Sequence, residues 1–173
     1  GGARGRAAVH EGSTSRGEGD GVGPSNGEAG WRWWYEPWET VEVSDFSSWT
    51  EVAKWSADMF VPDDDSAAAV TALAAKIRRE HPDDPVTAAI RFVQDDIRYL
   101  GLEIGRNSHE PRQPKEILEQ RWGDCKEKAL LLSLIFRDLG IVADPARVNT
   151  KTKQRLDARS PSQSAVDPGI VGV

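Results

Sequence analysis

Cysteine occurs once among the 173 residues, at Cys125, so the chain has neither an intramolecular disulfide nor a cysteine-built zinc site of its own. Basic residues are not in excess either. Lys and Arg number 22 against 28 Asp and Glu, a net charge of −6, whereas a nucleic-acid binder needs a basic face to neutralise phosphates. The clusters Arg78-Arg79 and Lys151 to Arg155 are too short to reverse this. No run approaches the ~18 apolar residues of a membrane span, and residues 1–30 contain no apolar stretch of a signal peptide. Internal repeats and a phosphate-cradling glycine loop are absent. The acidic groups Asp63 to Asp65 and Asp95-Asp96 read as a solvated helix start and an exposed helix face, so no metal and no cofactor is expected. The first residues are Gly1-Gly2 rather than Met, which leads us to expect a piece of a longer protein.

Three segments differ in composition. Residues 1–30 hold ten of the sixteen glycines and almost no large apolar side chain, so they are expected to be a disordered tail or linker. Residues 31–60 carry six of the seven tryptophans. In an acidic chain such a cluster is expected to cover a neighbouring core rather than stack bases. Within it "SSWTEVAKW" reads as a short helix, with Ser48 as N-cap and Glu51 three residues on.

From 61 onward the pattern is mostly helical. "DDDSAAAVTALAAKIRREH" places Val70, Leu73, Ala74 and Ile77 on one face and stops at "HPDDP". A second helix opens with Asp84 as cap and Pro85 at its first position, with Val86, Ile90, Val93 and Ile97 as its buried stripe. "YLGLEIG" alternates at Leu100, Leu102 and Ile104 as a short strand or extended segment would. A loop then leads to a short helix near Pro114. The segment from Cys125 to Leu139 is apolar on nearly every side, which marks a helix buried in the middle of a domain. Gly140 ends it, and "IVADPARVNT" reads as a strand interrupted at Asp144-Pro145.

Asp124 and Glu127 fit a capping box that puts Cys125 at the first helical position. There a thiolate faces unpaired backbone N–H groups and the positive end of the helix dipole, and those N–H groups suit the oxyanion of a tetrahedral intermediate. Lys126 and Lys128 would add to the effect, while Asp124 and Glu127 oppose it. Cys125 also shares a stripe with Ala129, Leu132, Phe136 and Leu139, as a core cysteine would. On pattern alone the two readings stand level.

"IRYLGLEIGRNSHEPRQPKEILEQRWGDCKEKALLLSLIFRDLGI" resembles the core of the bacterial transglutaminase-like domain, a branch of the papain-like cysteine enzymes, over roughly residues 60–150. The segment 31–60 resembles the connector that follows an upstream β-sandwich in such proteins. The resemblance implies an α/β (α+β) fold in which 61–173 forms a core with a buried central helix starting at the cysteine, and with its C-terminal sheet strands largely missing. It also implies that Cys125 is the nucleophile of an acyltransferase or peptidase acting on protein or peptide amides through a thioester, in a bacterial envelope or periplasmic setting. A histidine on a following strand would take the thiol proton, and an acid would orient it. At the matching place "AVDPGIVGV" has Pro168, and Gly169 and Gly172 stand where strand residues are expected. The acid would lie past Val173. Little or no amide turnover is therefore expected of this chain, and the alternative is a protein-binding module that kept the fold. Single-base codon changes convert the family's histidine and strand residues into those present, so an altered tail is the favoured account of Pro168. His109 is the remaining histidine in the matched core, and a structural or substrate-side role is expected of it; His10 and His81 carry no chemistry in this reading.

Overall fold

A computed structural model describes residues 8–10, 42–101, 104–149 and 159–172. Most of the glycine-rich segment 1–30, Trp31 to Trp38, Leu102 and the cluster Lys151 to Arg155 lie outside the described residues. The order is β1 (Ala8–His10), β2 (Glu42–Ser44), α1 (Trp49–Ala57), α2 (Asp64–Glu80), α3 (Pro85–Arg91), a π-helical turn (Phe92–Asp96), β3 (Arg98–Tyr99), a 3-10 turn (Gly105–Ser108), α4 (Pro114–Gln120), β4 (Trp122–Gly123), α5 (Cys125–Asp138), β5 (Asp144–Val148), a second 3-10 turn (Gln163–Ala165) and β6 (Asp167–Gly172). Strands pair two by two: β1 with β2 and β5 with β6 antiparallel, β3 with β4 parallel. This is an α+β fold with its core among the helices.

Local chemistry accounts for the helix starts. Asp63, extended at its φ and ψ, accepts from the Ser66 N–H at 2.7 Å, and Asp84 accepts from the Thr87 N–H at 3.0 Å just ahead of Pro85. Such caps are worth ~1 kcal/mol each. Ser48 caps α1, but the Glu51 carboxylate reaches the N–H of Ser47 rather than that of the cap. Val70, Ala74 and Ile77 of α2 meet Leu131, Ile135 and Phe136 of α5, with Val93, Ile97 and Ile117 closing the core. Fully burying each of the larger side chains contributes ~1.5–3 kcal/mol. Gly140, at φ +86°, ends α5: the Ile141 N–H returns to the Phe136 carbonyl, a left-handed turn that glycine makes without strain.

Three expectations change. Of the strand or extended segment expected around Leu100 to Ile104, Leu102 lies outside the described residues, and the described pairing is at Arg98–Tyr99 with Trp122–Gly123; Leu100 is 43 % and Ile104 80 % exposed. Asp144-Pro145 opens β5 rather than interrupting it. The segment expected to fail as a strand pairs along β5, but with a slip: Ala146 faces Ile170 while Val148 faces Asp167. Pro168 and Gly169 thus share the place opposite Arg147. A bulge is where a strand tolerates residues that cannot serve the ladder.

Candidate functional site

Cys125 is the first residue of α5 and half-buried, at the junction of α5, β4 and the loop that ends at Arg112. The capping box is present in both halves: Asp124 accepts from the Glu127 N–H at 3.2 Å, and Glu127 accepts from the Asp124 N–H at 2.8 Å. Two acids beside a thiol would disfavour its ionised form. Both are neutralised. Arg112 grips Glu127 through Nε and Nη2 at 2.6 and 2.7 Å while its guanidinium lies 3.8 Å from the centre of the Trp122 ring. Lys126 pairs with Asp124, and Asp124, Lys126 and Glu127 are all at most 1 % exposed. Burial pushes the Glu127 carboxyl up, but the Arg112 fork and the N–H groups of Asp124 and Arg112 outweigh it and hold the group below its ordinary value.

The lysines do not serve as the sequence suggests. Lys126 is bound up with Asp124. Lys128 turns to the Ile97 carbonyl at 2.8 Å, and burial lowers its pKa against the pull of Asp95. A cation from elsewhere, Arg147, has Cys125 in its electrostatic surroundings: burial lowers the Arg147 pKa, and Cys125 partly offsets this. Arg147 stands on β5 at the register slip, and its Nη2 donates to the His109 carbonyl at 2.6 Å. His109 lays its ring edge-on against Trp55, with centroids 5.5 Å apart. Trp55 also meets Phe46 at 5.8 Å. The described part of the tryptophan-rich segment therefore packs against the body of the domain.

The helix mouth and its capping box were readable from sequence; Arg112 and Arg147 were not singled out. Arg112 lies within the "SHEPR" run, and its partner Glu127 within "GDCKEKA", so the ion pair ties these two runs together. No comparable signal marks Arg147. Among the described residues, no group of His, Cys, Asp and Glu is arranged to hold a metal, and no helix is long and apolar enough to cross a membrane. In comparisons with known proteins, residues 71–166 match the family model of the transglutaminase-like superfamily. Neither the curated proteins nor the solved structures give a match.

Proposed function

The chain belongs to the transglutaminase-like superfamily, and from that premise we propose that it is a cysteine acyltransferase or peptidase domain with Cys125 as nucleophile, attenuated by Pro168. The observation that carries this reading is the placement of Cys125: half-buried at the capped mouth of the buried helix α5, with both adjacent acids neutralised. The thiolate attacks an amide carbonyl of a protein or peptide. The C–S bond forms, the oxyanion is held by the first N–H groups of α5, and as the C–N bond breaks the amine departs with a proton taken from water, leaving a thioester. A second amine or water then resolves it. Proline at 168 can neither accept the thiol proton nor return it to the leaving amine, so amide turnover is slow while attack on reagents that need no proton persists.

The test has two arms. Alkylation of Cys125 by iodoacetamide, followed against pH, is expected to show a midpoint below the ordinary cysteine value of about 8.5. A midpoint at or above that value overturns the nucleophile and leaves a binding module. Pro168→His is expected to raise thiol-dependent turnover of a glutamine-containing peptide at least ~10-fold, the gain of a positioned base being ~10²–10⁴ at most. That gain should vanish in Cys125→Ala.

A further inference from the structure

Between α1 and β5 lies a cleft of about 680 Å³, walled by Trp49, Val52, Phe60, Leu130, Ala146 and Arg147. Its size is that of small-molecule sites, which combine apolar walls with a few fixed polar groups. Arg147 is the unusual member. One of its nitrogens serves the His109 carbonyl, while Nε and Nη1 are buried and have no hydrogen-bond partner among the described residues. The rings of Trp55 and Phe60 stand 5.6 and 5.7 Å from Cζ and keep the guanidinium in place. An arginine stays charged even when burial lowers its pKa, so the fold holds a cation here with two N–H groups unspent. The rim carboxylate, Asp144, is already paired with Arg137.

An apolar cleft with one incompletely satisfied guanidinium calls for a ligand with one negative charge and a hydrocarbon body. A dianion such as a phosphate monoester would leave excess charge against apolar walls. A carboxylate matches both the charge and the planar fork of arginine. We propose that this cleft binds small carboxylates carried on an apolar chain or ring, with Arg147 recognising the carboxylate and the α1 and β5 walls taking the hydrocarbon. Cys125 is not among the residues lining the cleft, and binding there does not depend on its chemistry.

Titration calorimetry on the full chain with decanoate, decan-1-ol and decyltrimethylammonium, three probes sharing one hydrocarbon length, tests the assignment. Decanoate is expected to bind at least ~10-fold more tightly than either of the others. Arg147→Met is expected to abolish that preference and leave decan-1-ol unchanged, whereas Arg147→Lys keeps part of it. Calorimetry reads binding with no reaction at Cys125, so failure of the nucleophile reading would not touch this result. Equal binding of the three probes, no binding of decanoate, or undiminished decanoate binding by Arg147→Met would each overturn the proposal. The wild-type probe series decides the matter even if the methionine variant does not fold.

Discussion

At the mouth of α5, Asp124, Lys126, Glu127 and Arg112 close two ion pairs and a reciprocal cap around Cys125. Across from it, the β5–β6 ribbon slips its register at Pro168 and Gly169, opposite an arginine with two N–H groups unspent. One wall is over-determined and the other tolerant. A thiol held from several directions at once keeps its place when the facing strand changes. This is why proline at position 168 is compatible with an intact helix mouth.

The difference can be broken most forcefully from the rigid side. Lys126→Met strands Asp124 as a buried charge, and chemical denaturation is expected to show a loss of ~3–5 kcal/mol. Adding Asp124→Ser, which still caps α5, should restore much of it; no recovery would mean that Lys126 matters for packing alone. Arg112→Gln is next, at about 2–3 kcal/mol near neutral pH, because Glu127 loses its fork inside the protein. The same pair fixes a pH response. Glu127 titrates below its ordinary value of 4.5 in the folded chain, so its stabilisation is complete above about that pH and is lost as pH falls through the lower folded value. Acid unfolding curves of Arg112→Gln should show a smaller loss over that window than the wild type.

Two glycines sharpen the contrast at smaller scale. A Cβ at Gly123 would meet Glu127 Oε2 at 3.1 Å and Ile117 Cγ2 at 3.4 Å, so Gly123→Ala is expected to destabilise by ~1–2 kcal/mol. At Gly172 the same atom would meet, among the described residues, only the Asp144 carbonyl, at 3.8 Å, and Gly172→Val should stabilise the strand by ~0.5–1 kcal/mol. Thermal melts of both variants check the pair. Equal and opposite responses on the wrong sides would reverse the assignment of rigid and tolerant walls.

Much of the rigid wall was legible in the chain. Asp63, Asp84-Pro85 and the Asp124–Glu127 box announce helix starts because capping acts over three residues, within the range of a local pattern. The buried stripe Val70, Ala74, Ile77 followed from helical period in the same way. Lys126 misled: a lysine in an apolar helix looks the same whether it reaches solvent or an internal aspartate. Leu100 and Ile104 alternated without a partner strand long enough to use them. The slip opposite Arg147 and the Arg112–Glu127 fork depend on residues remote in sequence, which no local period encodes.

Arg121 adopts a left-handed backbone at φ 60°, and only residues 121–124 separate the end of α4 from Cys125. Four residues reach on the order of 14 Å when fully drawn out, and here the segment is also bonded to Arg98 and Leu100. Such a tether is short and pinned on both sides of the turn. Cys125 cannot swing out on the nanosecond scale of a loop; displacing it means moving α4 and α5 together, a rearrangement of microseconds or longer. The thiol is therefore presented in a fixed place, and whatever reacts with it has to adjust its own position.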